Sequence, residues 1–417
     1  MKTKKHSHKV KKYFSFLITP YKKLKLFENK NEKNKALFKD IKNVIIVLLC
    51  NFLFIVGWVN RSKFYPENVT IFIKNVFNVG MYDSAFPYKI NENMASAENF
   101  QFFEKNISLL GNTNFDIITK NGKILKSEKH SFSSPCLKTR GLRAIIYDRG
   151  GKNYKIESAS GTLFEGTSNK NIISCALSEI GTFAVAEQSS SHLSEMGVYN
   201  KNGKEKYRYY FSDYYLSDIA LNSFGTEGAA CGITGSNGSI NSNIYVLNFN
   251  SETPKKQFLL TDNMVTKVEY LQNGNILAIG DKYMAFLHVN SGTVNKFEYG
   301  NKFLKFYDIN RERGVCCCLS SSVNETSNDE IIMLDTTGKE LFKTKASENF
   351  SGISKYKNRV IGITKNKIIS YNFQGKYEGY MDFYNNAKKV LLTSHSNAYV
   401  LENGNINKIK IKNLKKD

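Results

Sequence analysis

Few residues in this chain are spaced to do chemistry together. The six His stand at 6, 8, 130, 192, 288 and 395. Apart from His6 and His8, two apart in the Lys-rich leader, no two have the spacing that sets paired imidazoles on one helix or strand face, so no metal site is expected. No Gly-x-Ser-x-Gly elbow, P-loop or His-Glu-x-x-His occurs. Asp335-Thr-Thr-Gly338 and Asn237-Gly238 have the composition of turns rather than calcium loops. The Cys at 50, 136, 175, 231 and 316–318 lack zinc-ligand spacing. Cys316, Cys317 and Cys318 interrupt nothing in an apolar run and read as small core residues, with a disulfide as the alternative for a domain outside the cytoplasm. One constellation remains. His130 opens His130-Ser-Phe-Ser-Ser-Pro135, and Tyr147, Asp148 and Arg149 open the run to Gly151. Brought together, these four side chains would form a polar binding pocket. The competing expectation is that Asp148 and Arg149 pair to brace a turn and that His130 caps a loop. No catalytic residue and no cofactor is assigned.

The elements that would position these residues repeat. Arg140-Gly141, Ile180-Gly181, Phe224-Gly225, Asn273-Gly274, Arg313-Gly314, Asn358 and Asn397 form one series of turns, spaced 39 to 49 residues apart. Gly122, Gly161, Gly203, Ser251, Gly292, Gly338 and Gly375 form a second, spaced 37 to 48 apart, and the two interleave without a slip. Gly and Asn supply the positive φ that tight hairpins require. Short apolar strands flank each turn. Two hairpins per unit at a period near 40 are the signature of a β-propeller blade. A β-sandwich would not keep two phased turn series over seven cycles, and a helical solenoid lacks the strand chemistry. The expected fold is therefore an all-β, eight-bladed propeller over residues 85–413, or a seven-bladed one if the first unit is irregular. The last unit has only three strands. Ala85–Ile90 is expected to supply the fourth and close the ring, leaving no open sheet edge. In that connectivity the loops holding His130 and Arg149 share one face, opposite the Gly-rich hairpins.

Val44 to Val59 is the only long apolar run, interrupted by Asn51 alone. Its sixteen residues span roughly 24 Å of helix, against about 30 Å of hydrocarbon. Lys42 and Arg61 can extend that reach by snorkelling, and Trp58 suits the headgroup layer. Residues 1–43 carry fourteen Lys and three acids, so the positive-inside rule sets the N-terminus in the cytoplasm. The expected organisation is a basic tail (1–43), a transmembrane helix (44–60), a connector (61–84) and the propeller, a type II single-pass protein with its C-terminal domain extracytoplasmic. The connector's apolar residues suggest a short helix docking on the ring. The net charge of +22 divides into +11 in the tail and +11 beyond it, and the latter is spread along the chain without a dense stripe, which argues against nucleic acid and for attraction to anionic envelope polymers.

The stretch from His130 to Pro135, then Lys138-Thr-Arg-Gly141, Arg143-Ala-Ile-Ile-Tyr-Asp-Arg-Gly-Gly151 and Tyr154, resembles an uncharacterised bacterial family filed as a domain of unknown function. Its members are single-pass membrane proteins with a WD40-like or quinoprotein-like propeller ectodomain. Ala85-Phe-Pro87 matches the family's Phe-Pro start, with Ala where the family has Gly. The resemblance covers roughly residues 85–400 and implies a fold, not an activity. Marks of enzymatic propellers are missing: Trp58 is the only Trp, so quinone-docking Trp repeats are absent, as are Asp boxes and Gly-His…Trp-Asp repeats. The expected function is binding or scaffolding of an envelope protein or polymer. The alternative is a cell-wall glycan-directed enzyme or sensor with a pocket near His130 and Arg149. A scaffold calls for a broad shallow patch, an enzyme for a deep pocket with perturbed acids.

Overall fold

The computed structural model describes residues 32–59, single positions between 65 and 73, residues 86–90, and residues 96–416 apart from 237, 322–328, 347, 358 and 384–386. The basic tail up to residue 31, Ala85 and Asn358 lie outside the described residues. The chain forms two compact units, residues 1–64 and 65–417. In the first, helix α1 runs over Glu32–Val59. It starts twelve residues before the apolar run, because Glu32 to Lys42 contains no Pro or Gly to stop it. Ile41–Trp58 is long and apolar enough to cross a membrane, with mean hydropathy 2.1 and none of its eighteen residues buried.

The second unit is an eight-bladed propeller. Its eight sheets are each four-stranded and antiparallel, and in seven of them the strands are ordered consecutively from the axis outward. Blades one to seven span 100–129, 135–167, 172–211, 215–260, 265–298, 303–345 and 352–382. Inner strands are covered on both faces by neighbouring blades and so read as continuous apolar runs. All residues of Gly314–Ser320 are buried, whereas the outermost Thr293–Glu298 is exposed at four of six positions. Cys317 packs with Val315 and Leu319 toward blade five, and Cys316 and Cys318 pack toward blade seven. All seven thiols are free. Gly314 shows why its turn excludes a side chain: its φ is +95°, and a Cβ would sit 2.1 Å from the Leu334 carbonyl oxygen.

Blade eight joins both ends of the domain. Its inner strands are Ala387–Leu392, Asn397–Glu402 and Asn405–Lys410, and Tyr88–Lys89 is the outermost. Tyr88 pairs with Ile406 and Lys89 with Asn405, and the Ile90 N–H donates to the Gly404 carbonyl at 2.8 Å. Phe86, Tyr88 and Ile90 face the blade eight and blade one core, while Pro87 and Lys89 are exposed. The ring is thus closed by a strand 316 to 318 residues away from its partner in sequence, and blade one is regular, which settles the count at eight.

Backbone hydrogen bonds join some neighbouring blades, as from the Gly150 N–H to the Ile172 carbonyl at 2.8 Å and from the Glu179 N–H to the Ser223 carbonyl at 3.0 Å, and side chains near the axis add further ties. Asn99 bonds the Leu137 N–H at 3.1 Å and the Pro135 carbonyl at 2.8 Å. Asp218 accepts from the Val268 N–H at 3.1 Å, and Asp308 from the Lys355 N–H at 2.8 Å. The connector docks on the hairpin face through Asn68. It is buried, donates to the Glu179 carbonyl at 3.1 Å and accepts from Arg143 Nη1.

Candidate functional site

Radial position separates the four residues singled out from the sequence. His130 follows Ile124–Lys129, the outermost strand of blade one, so it sits at the rim. Its Nε2 meets the Gly111 carbonyl at 3.1 Å, its Nδ1 accepts the Phe132 N–H at 3.2 Å, and its ring packs on Phe132. It lines a rim groove of about 560 Å³ with Phe132, Tyr154 and Glu165. Asp148 is buried and accepts the Ser134 N–H at 2.7 Å, which fixes the loop before blade two. Tyr147 lies at the end of Arg143–Asp148, the second strand of blade two, Arg149 follows that strand directly, and both line a different cavity. The structure therefore brings Tyr147 and Arg149 together and sets His130 and Asp148 to loop-bracing contacts.

That cavity is the axial funnel. Its volume is about 540 Å³, and it opens where the inner strands begin, on the face opposite the hairpins. Five inner strands carry a β-bulge near their start, with the register shifting at Ile173, Ser217, Thr266, Lys305 and Lys388. A bulge turns the strand and re-aims its side chains. Neighbours that would otherwise point to opposite faces, Thr266 with Lys267, Lys305 with Phe306 and Lys388 with Lys389, then both line the funnel. Tyr147, Phe306, Tyr307 and Ile353 add aromatic and apolar wall.

The funnel is strongly cationic. Lys138, Lys267, Lys305, Lys388, Lys389 and Arg149 line it, against Glu98 and Asp218. Lys305 is paired with Asp329 at 3.0 Å. Six basic side chains against two carboxylates make the wall predominantly basic. Asp218 is the hub: its Oδ1 accepts from Lys138 Nζ at 2.6 Å and Ser174 Oγ at 2.7 Å, and Lys267 Nζ lies 3.8 Å from its Oδ2. Burial opposes ionisation of Asp218, but Lys138 and Lys267 outweigh it and hold the carboxyl at about 2. At Lys138 the balance is reversed, and burial pushes the ammonium down despite Asp218. Burial also pushes Lys389 down against the pull of Asp308 and Glu98, and its side chain makes no hydrogen bond or ion pair among the described residues.

Below the funnel a second chamber of about 70 Å³ shares Gln101, Lys138 and Lys267 with it. Charges then cross the axis at the hairpin end. Arg140 meets Glu269 at 2.8 Å, Arg311 meets Glu269 at 3.3 Å, and Arg311 reaches Glu179 of blade three at 3.1 Å. Arg140 and Arg311 outweigh burial and hold the Glu269 carboxyl below its usual range. The funnel is open at one end and laced by ion pairs at the other.

The family of unknown function DUF5711 matches residues 82–411. The chain belongs to that family. No curated protein matches it by sequence. Among solved structures, the C-terminal WD40 domain of Sif2 is similar over 80% of this chain and 100% of its own, with a TM-score of 0.55 and 11% identity. A quinohemoprotein alcohol dehydrogenase, ADHIIG from Pseudomonas putida HK5, is similar over 79% of this chain and 76% of its own, with a TM-score of 0.53 and 9% identity. At these identities the likeness is one of fold. The expected WD40-like and quinoprotein-like propeller is what the DUF5711 chain adopts.

The funnel lysines escaped motif reasoning. Each is one polar residue in a short strand, and Lys is frequent throughout the chain. One signal was present: Asp218 and Lys267 both stand seven residues before the turn glycines of their repeats, Gly225 and Gly274. Lys305 and Lys389 break that phase, since they precede Gly314 and Asn397 by nine and eight residues. Among the described residues no group of three or more His, Cys, Asp or Glu is arranged to hold a metal ion.

Proposed function

We propose that this DUF5711 protein is a membrane-anchored binding module that receives an extracytoplasmic envelope component, protein or polymer, in the open end of its funnel. One observation carries the reading: a cavity of about 540 Å³, closed at its far end by ion pairs, is lined by six basic side chains against two carboxylates, beside an aromatic wall. A predominantly basic cavity wall attracts an anionic partner. The anchor is supported by the exposed apolar segment Ile41–Trp58 and the Lys-rich tail before it. The enzyme or sensor alternative placed its pocket at His130 and Arg149, but these two residues line separate cavities. Both ring nitrogens of His130 are engaged within its own loops, and Asp218 is held ionised, so neither is poised as a general acid.

The test is site-specific photo-cross-linking of the full-length protein in intact cells. A cross-linker at Thr266, exposed at the funnel mouth, should yield an adduct with an envelope component. One at Asn202, exposed on the hairpin face, should not. Adducts from Asn202 alone would overturn the reading. So would protoplasts in which added protease removes the basic tail and spares the propeller.

A further inference from the structure

We infer that the funnel ligand carries a multiply charged oxyanion of the phosphate type attached to a ring or other apolar body, a statement that rests on the binding reading above. Charge decides the first part. Six basic side chains line the cavity against two carboxylates, and a phosphate monoester, with close to two charges near neutral pH, answers that imbalance better than a single carboxylate. The cations also come from different directions. Lys138 belongs to blade two, Lys267 to blade five, Lys305 to blade six, and Lys388 and Lys389 to blade eight. A compact tetrahedral anion presents oxygens in several directions and can meet donors around a ring, while a planar carboxylate presents two. Donors remain to be used: Lys389 has no partner among the described residues, and the nearest carboxylate oxygen to Lys267 is 3.8 Å away.

The walls decide the second part. Tyr147, Phe306, Tyr307 and Ile353 line the same volume as the lysines, so an anion seated there brings its organic body against aromatic surface. About 540 Å³ is the size of a small-molecule pocket. It accommodates a phosphorylated ring or the terminus of a chain, and the blind floor lets nothing thread through. The same chemistry can arrive as a free phosphate ester or as the terminal phosphate of an envelope polymer.

Calorimetry on the detergent-solubilised full chain, at about pH 7.5 and low salt, tests this with phenyl phosphate against benzoate, which share a ring and differ in charge. Phenyl phosphate should bind at least about tenfold tighter than benzoate and weaken several-fold on raising the salt. Lys389→Gln should weaken phenyl phosphate by at least about tenfold, and Lys389→Arg should largely restore it. Because Lys389→Gln removes a poorly solvated charge, its melting temperature should not fall, which separates lost binding from lost fold. Equal affinity for the two probes, or Lys389→Gln binding phenyl phosphate as well as the parent, overturns the inference. A glycerol phosphate polymer with a terminal monoester separates the sources: tighter binding than phenyl phosphate assigns the polymer end, weaker binding the free ester. If the Thr266 cross-link forms while phenyl phosphate fails, the oxyanion inference falls and the binding module stands. If both fail, both fall.

Discussion

Replacing Asp218 by Asn tests whether one carboxylate holds four blades at the axis. Its oxygens are bonded to Lys138 of blade two, Ser174 of blade three and the Val268 N–H of blade five, and it stands in blade four. Asn keeps the shape and one acceptor but leaves Lys138 and Lys267 without their shared negative charge. Breaking a buried ion pair by removing one partner costs roughly 3–5 kcal/mol. Lys138 is already pushed down by burial and can release its proton, which limits the loss, so we expect about 3 kcal/mol. Unfolding entropy is about 2.1 cal/mol/K per residue, so a propeller of roughly 320 residues should lose about 4 °C. The sign with pH is fixed by the direction of the shift. Asp218 is depressed from 3.8 to about 2, so its contribution is complete above pH 3.8 and disappears as pH falls through 2. That depression corresponds to about 2 kcal/mol at neutral pH. Calorimetric melting of both proteins at pH 7, and denaturant titration from pH 4 to 2, are the measurements. The gap between parent and Asp218→Asn should narrow as the solution is acidified. A variant that melts within about 1 °C of the parent at pH 7, or a gap that stays constant down to pH 2, would refute the hub.

Two further perturbations probe the ring and its docking segment. Gly314→Ala should cost more than about 3 kcal/mol, because the new Cβ meets the Leu334 carbonyl oxygen at 2.1 Å, whereas Gly150→Ala, also at positive φ but with no atom within 4 Å, should cost about 1 kcal/mol. Equal losses in thermal melting would show that backbone strain alone governs both turns. Asn68→Ala removes the acceptor for Arg143 and the donor to the Glu179 carbonyl. It should destabilise by about 1–3 kcal/mol and raise amide exchange on the hairpin face near Glu179, with the funnel face unchanged; unchanged exchange there would mean the docking is not formed in solution.

The number of blades, the phasing of their hairpins and the closing strand were all legible in the sequence. Each depends on local rules repeated at a period near 40: a turn that needs Gly or Asn, strands of five or six residues, and a terminal unit short by one strand. Tyr88–Lys89 completing blade eight followed from that shortfall, since an unpaired sheet edge must be covered. That the loops of His130 and Arg149 share a face followed from strand alternation. How far each stands from the axis did not enter that argument, and this separates the rim groove from the funnel. The funnel itself was decided by tertiary structure. Its lysines are individually ordinary: Lys138 stands on a regular strand, and Lys267, Lys305, Lys388 and Lys389 stand at or beside bulges whose positions depend on pairing with the next strand. Its pairings join residues far apart in the chain, 80 between Lys138 and Asp218 and 132 between Arg311 and Glu179. Local turn chemistry specifies each blade, but a charge field at the axis exists only once eight separately coded strands are brought round to face one another.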